Sequence, residues 1–244
     1  MNSVTRDSIA MRGTGTVHVA QPAKGNRFTL DSVLLADFCR IKPGDRVLEP
    51  GAGTGIISLL LAMKHRRALF TAVEIASSLA ALIAQNVAAN SLDERISVLA
   101  QDFRIPMKAL APGSQDAVVA NPPYIKEGSG RTPPHAARRL ARQDRAASLD
   151  AWLDLQLFLR NKGKYFLVFP AARMAELLSL MRTRKLEPKR LRLVHPHQDG
   201  PAALALVEAV KSGGTGLEVL APLVLHQSDG GYTEELKQIY GSGG

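Results

Sequence analysis

Between residues 46 and 120 the chain alternates short apolar runs with longer helical stretches, and a polar side chain stands at the end of each run. Arg46–Glu49, Leu69–Val73, Ile96–Ala100 and Gln115–Ala120 read as strands, while Ile56–Lys64 and Ala76–Asn90 read as helices. Such alternation predicts parallel strands joined by helical crossovers, an α/β fold of the doubly wound, Rossmann-like kind. Glu49 and Glu74 close the first two runs, Asp102 follows the third, and Asn121 follows the fourth. Right-handed crossovers carry all four to one edge of one sheet. Open α/β sheets bind their ligands at that edge.

The loop after the first strand reads Gly51-Ala52-Gly53-Thr54-Gly55. Glycines there permit a tight turn and let a ligand approach without Cβ interference. The spacing is G-x-G-x-G, not the G-x-G-x-x-G of a dinucleotide site, and alone it is also compatible with a plain turn. Glu74 lies 23 residues after Gly51, where an acid can accept two hydrogen bonds from a ribose diol. Asp102 offers an acceptor for an adenine amino group, and Phe103 a ring to pack on it.

Asn121-Pro122-Pro123-Tyr124 follows the fourth strand. Two prolines end a ladder and hold the backbone stiff. A proline turn needs no ligand to explain it. Yet the Asn121 side-chain carbonyl and the Pro122 backbone carbonyl are acceptors, and Tyr124 has a flat face. Together they suit a planar ligand with an exocyclic amino group.

Net charge is +9, unevenly placed: 16 Lys/Arg against 7 Asp/Glu fall within residues 121–200. A basic region beginning at the proline loop suggests a polyanionic partner, with Lys126, Arg131, Arg138, Arg139 and Arg142 as candidate phosphate contacts. No apolar run spans a membrane, no signal peptide is legible, and Cys39 is the only cysteine, so a cytoplasmic protein is expected. The histidines are scattered and His195-Pro196-His197 has no cysteine partner, which argues against a metal.

Elsewhere Val17–Val19 reads as an edge strand, and Val33–Arg40 as a helix capped by Asp31 or Ser32. Ala136–Arg145 reads as a basic helix and Leu149–Arg160 as an amphipathic helix carrying Trp152. A strand at Gly163–Phe169, a helix at Ala171–Arg182, a closing strand pair at Leu191–His195 and Leu204–Val210, and a last strand at Val219–Leu225 complete the pattern. The 244 residues are expected to form one domain, with residues 1–44 leading into it and 241–244 a flexible tail.

Glu49-Pro-Gly-Ala-Gly-Thr-Gly55, Glu74, Asp102 and Asn121-Pro-Pro-Tyr124 together resemble the class I S-adenosylmethionine-dependent methyltransferases that act on planar nitrogen. Over nearly the whole chain the sequence is similar to the bacterial family that methylates N6 of adenosine 37 in tRNA1(Val). Arg27–Ala36, Asn121–Lys126, Gly128–Arg131, Ala141–Asp144, Leu191–Pro196 and Tyr232–Gly241 carry this likeness. Glu49-Pro50 stands where relatives more often have Asp-Leu, and Asp144 where Glu is expected. Asn-Pro-Pro-Tyr-Ile also occurs in enzymes that methylate a glutamine of release factors, but those carry a helical domain ahead of the glycine loop. DNA or rRNA adenine methylation, and a catalytically silent nucleic-acid-binding protein, remain alternatives.

The resemblance implies a seven-stranded sheet with S-adenosylmethionine lying across the strand ends. Glu74 would hold the ribose, Asp102 the adenine amino group, and Glu49 would sit near the methionine amino group. Gly51, Gly53 and Gly55 would let the chain pass closely, and Thr29, Asp31, Ala52, Ile75, Phe103 and Asn121 complete the implied cofactor set. Asn121, Pro122, Pro123 and Tyr124 would form the catalytic loop, and the anticodon arm of tRNA would be the partner.

Overall fold

A computed structural model describes residues 3–25, 27–123 and 148–241. Its strands are β1 (Val4–Ile9), β2 (Val17–Pro22), β3 (Arg46–Pro50), β4 (Leu69–Glu74), β5 (Ile96–Ala100), β6 (Gln115–Ala120), β7 (Leu159–Pro170), β8 (Leu186–His195), β9 (Leu204–Lys211), β10 (Glu218–Val219) and β11 (Leu223–Val224). Its described helices are α1 (Leu30–Phe38), α2 (Ile56–Lys64), α3 (Ser77–Ala89), α4 (Leu149–Asp154), α5 (Met174–Thr183) and α6 (Glu234–Ile239). The main sheet runs β10-β8-β9-β7-β6-β3-β4-β5, with β11 also on β8. Only β9 opposes the rest. The seven strands from β8 to β5 form the expected sheet, and β8 with β9 is the expected closing pair; β10 and β11 extend it.

Period-two alternation explains the layers. Val47, Ala72, Ala117, Val119 and Phe166 face α1, α2 and α3 on one side. Leu48, Val73, Val118, Ala120 and Tyr165 face α4 and α5 on the other. Both faces of the inner strands are buried, so they read as continuous apolar runs. Arg190 and Glu208, paired across β8 and β9, form a buried ion pair, and Lys164 reaches the same carboxylate at 3.0 Å.

Several expectations need correction. Leu149–Arg160 is not one helix: α4 ends at Asp154, a 3-10 turn covers Leu155–Phe158, and β7 already begins at Leu159. Arg160, Asn161 and Lys162 are too polar to read as strand, and Lys162 takes a positive φ of 62°. Ala171–Arg182 begins with a 3-10 turn before α5. Val219–Leu225 is two short strands, not one. The basic helix over Ala136–Arg145 and the end of the tail lie outside the described residues.

Val17–Val19 belongs to no edge of the main sheet. It lies in β2, which pairs antiparallel with β1 in a separate hairpin. Two asparagines one helical turn apart, Asn86 on α3 and Asn90 at its C-cap, fasten that hairpin. Asn86 Oδ1 accepts from Ala20 N–H at 2.7 Å, and its Nδ2 donates to Ala20 O at 3.0 Å. Asn90 repeats the pattern at His18, at 2.9 and 2.7 Å. Each carboxamide substitutes for a strand backbone. Asn86 also donates to Thr54 O at 3.0 Å, which ties the hairpin to the glycine loop.

Asn86 is 1 % exposed, so its three backbone partners have no water to fall back on. Asn86→Leu should cost about 3 kcal/mol or more. It should also abolish hydrogen-exchange protection over residues 17–22. Unchanged protection there would show that Asn90 and the apolar residues hold the hairpin without Asn86.

Candidate active site

Four adjacent parallel strands, β6, β3, β4 and β5, end level with one another. Pro50 pairs with Val73 and Glu74 with Ala100, while Leu48 pairs with Val118. Carried one step past the strands, this register sets Gly51, Glu74 and Asn121 side by side. At strand spacing, Glu74 and Asn121 lie about 10 Å apart at backbone level, the width of two strand intervals. The shared edge expected for these residues is therefore present.

The three loop glycines have different physical reasons. All take positive φ, 59° at Gly51, 60° at Gly53 and 78° at Gly55. A Cβ on Gly51 would stand 2.6 Å from Trp152 Cη2, and one on Gly55 would stand 2.8 Å from Ile83 Cγ2. Those two let neighbours pack. A Cβ on Gly53 would meet nothing within 4 Å. Gly53 therefore faces open space, and its N–H donates to Glu74 Oε2 at 2.9 Å. Glu74 Oε1 accepts from Ala76 N–H at 2.9 Å. This buried carboxylate is held on both oxygens by backbone donors, with Ile75, 59 % exposed, next to it.

Glu49 is turned toward α2. Its Oε2 accepts from Ser58 N–H at 2.9 Å and from the Ser58 hydroxyl. Burial pushes its carboxyl up to about 7, the Ser58 bonds pull it down, and the negative charge of Glu74 adds to the rise. Ser58, a polar residue inside the apolar run 56–63, was the legible sign of this contact.

Asp102 is engaged by its neighbour. Arg104 Nε donates to both oxygens at 2.9 Å and Nη2 to Oδ2 at 2.6 Å. Those bonds hold its carboxyl below the usual carboxylate range. Phe103 packs against Trp152, ring centroids 4.6 Å apart. Trp152 thus backs both Gly51 and Phe103, and its position on α4 gave no hint of that in sequence. Trp152 Nε1 and Thr54 Oγ1 are buried without a partner among the described residues.

Asn121 Nδ2 donates to Ser32 Oγ at 3.1 Å. The expectation that Asp31 or Ser32 caps α1 is corrected by this bond. Thr29 is the N-cap, with no side-chain cap bond, and α1 starts at Leu30. Ser32 lies inside the first turn, where its hydroxyl serves Asn121 instead. Thr29 and Asp31 flank that contact. Pro122 is buried and Pro123 exposed. Tyr124, Lys126, Arg131, Arg138, Arg139, Arg142 and Asp144 lie outside the described residues. Among the described residues no acid, histidine or cysteine cluster has metal-holding geometry, and no helix is long and apolar enough to cross a membrane.

Burial of the Glu49 carboxyl makes stability depend on pH. Between pH 4.5 and about 7 the native carboxyl keeps a proton that the unfolded chain has released. Stability therefore falls as pH rises through that interval and levels off above it. Glu49→Gln keeps an acceptor for Ser58 and removes the loss. Its gain in Tm over wild type should be small near pH 4.5 and greatest above pH 7, equivalent to about 3 kcal/mol at most. Thermal unfolding at the two pH values checks this, and an equal difference at both would contradict it.

The methyltransferase small domain family matches residues 26–171. The chain is 30% identical over 182 residues to the tRNA1(Val) (adenine(37)-N6)-methyltransferase of Parabacteroides distasonis, covering 73% of this chain and 74% of that one. It is 31% identical to the enzyme of that name from Tolumonas auensis, covering 67% of each chain. With the Aeromonas hydrophila protein the identity is 28% over 91% of this chain and 92% of that one. Among solved structures, a predicted O-methyltransferase of Agrobacterium tumefaciens superposes with a TM-score of 0.71 at 20% identity, covering 88% of this chain and 97% of that one. Pyrococcus horikoshii TYW2 in complex with MeSAdo gives 0.57 at 15% identity, covering 87% and 73%. At these identities the structures establish the fold. The chain belongs to the S-adenosylmethionine-dependent methyltransferase small domain family and, within it, to the tRNA1(Val) (adenine(37)-N6)-methyltransferases.

Proposed function

We propose that this chain methylates N6 of an adenosine in tRNA, A37 of tRNA1(Val), in the cytoplasm. The observation that carries the reading is the level alignment of Gly51, Glu74 and Asn121 on adjacent strand ends. The donors and acceptors at this edge fit S-adenosylmethionine. Gly53 leaves space where a Cβ would intrude, and the exposed Ile75 offers an apolar contact for an adenine.

When bound there, S-adenosylmethionine supplies an electrophilic methyl group. Glu74 would accept from the ribose hydroxyls, held in place by the Gly53 and Ala76 amides. Glu49 would face the methionine ammonium, which would favour its ionised form. Asp102 would take the adenine amino group in exchange for part of its bonding to Arg104. Thr29, Asp31, Ala52 and Phe103 would line the same cofactor.

The substrate N6 lone pair is delocalised into the ring and is a poor nucleophile. Asn121 Oδ1 and the Pro122 carbonyl would accept its two amino hydrogens and favour a more tetrahedral nitrogen. Both bonds strengthen as positive charge develops on that nitrogen, so they lower the barrier. With Asn121 Nδ2 engaged by Ser32, Oδ1 would be the atom that meets the amino group. Pro123 stiffens the loop, and Tyr124 would stack on the extruded base. No general base is required, because the excess proton can leave to water. Lys126, Arg131, Arg138, Arg139 and Arg142 would hold the RNA backbone, setting register without reading sequence.

Purified protein, S-adenosylmethionine and unmodified tRNA should yield N6-methyladenosine in nucleoside mass spectrometry. Asn121→Ala should lower kcat by about 10²-fold or more while cofactor and tRNA still bind. Methylation confined to DNA or to a protein glutamine would overturn the substrate, and full activity of Asn121→Ala would overturn the mechanism.

A further inference from the structure

The segment Tyr232–Gly241 has no part in the chemistry above, yet it is built into the same edge of the sheet. β11 runs parallel to β8, with Val224 opposite His195. The pairing continues past the strand, with Leu225 N–H to His195 O at 2.9 Å and His226 N–H to Pro196 O at 3.0 Å. β8 points the same way as β6, so His197 and His226 emerge on the side where Asn121 leaves its strand. The chain then turns back, and a bridge sets Tyr232 against His226. Gln227 Nε2 donates to Tyr232 O at 2.8 Å, and Thr233 N–H donates to Leu225 O at 3.0 Å.

Thr233 caps α6, whose Leu236 and Ile239 are buried in the core that α1 shares. That packing brings Tyr240 toward the start of α1. Burial raises the Tyr240 phenol, with further contributions from Tyr232 and Asp31. Asp31 adjoins Ser32, the partner of Asn121.

Four rings thus follow one another. His197 to His226 spans 5.4 Å between centroids, His226 to Tyr232 spans 5.3 Å, and Tyr232 to Tyr240 spans 6.4 Å with planes 12° apart. Tyr240 packs against the core and His226 is half-buried, but Tyr232 is 48 % exposed and His197 is exposed, so the outer rings have no core role. The acids of α6 beside the row, Glu234 and Glu235, are paired with Lys237 and Arg192. A surface of that kind suits nucleobases better than phosphates, because every base has a π-face.

We propose that the row His197–His226–Tyr232–Tyr240 is a stacking platform for unpaired bases beside the target adenosine in the RNA substrate. The proposal rests on the RNA-methylating function above and adds where the flanking nucleotides go. Single-stranded loops are read in this way, by splayed bases on aromatic rings.

The test uses the full chain and a stem–loop RNA carrying the target adenosine, intact or with abasic nucleotides flanking it. For wild type, abasic flanks should raise KM. Tyr232→Ala should raise KM on the intact loop by about tenfold, within the range measured for base–aromatic stacking. On the abasic loop the same substitution should have little further effect, because the coupled partner is already gone. Tyr232→Phe should restore the intact-loop KM, and S-adenosylmethionine affinity should be unchanged throughout. If Tyr232→Ala folds poorly, His226→Leu supplies the same cycle. An equal penalty on both loops, or none on either, would overturn the platform while wild-type turnover leaves the RNA-methylating function standing. Absence of turnover by wild type on any RNA would overturn both.

Discussion

The arrangement depends on the shared register of four parallel strands. Because Pro50 lies opposite Val73 and Glu74 opposite Ala100, the chain leaves β3, β4 and β5 at one level, and β6 joins them. A one-residue slip would turn each outgoing side chain to the other face. The alternation of Val47 with Leu48, and of Ala117 with Val118, makes such a slip costly, since both faces of these strands are buried. The core therefore fixes the geometry of residues that take no part in it.

That edge concentrates negative charge in a poorly hydrated place. Glu49 and Glu74 are both buried, and the negative charge of Glu74 raises the cost of charging Glu49. Backbone amides from Gly53 and Ala76 stabilise Glu74, whereas Glu49 has Ser58 and a carboxyl pushed to about 7. A buried carboxyl of this kind detracts from stability, and a cationic ligand group would relieve it. The glycine loop makes the same compromise. Gly51 and Gly55 accommodate Trp152 and Ile83, and Gly53 leaves room beside Glu74.

The sheet and its edge were legible because burial on both faces writes continuous apolar runs. α2, β5 and β6 begin and end where the pattern does. What escaped depended on contacts distant in sequence. β1 is half exposed along its length and has little apolar pattern, and it is held through β2, which Asn86 and Asn90 fasten from about 70 residues away. β7 starts early through Arg160 and Lys162, whose charge hides a strand edge. Ser32 looked like a cap because its position in the chain suits one, and only the tertiary fold reveals Asn121 beside it. Trp152 could be placed on a helix but not behind the glycine loop, since no periodic signal links residues 51 and 152.

The central claim is that one ligand lies across the ends of β3, β4 and β5, with Asn121 at its reactive end. A crystal structure with S-adenosylhomocysteine tests it most directly. The account predicts the ribose hydroxyls on Glu74, the chain passing over Gly53, and the sulfur facing Asn121. Density for the ligand away from that edge, or a ribose with no contact to Glu74, would contradict it.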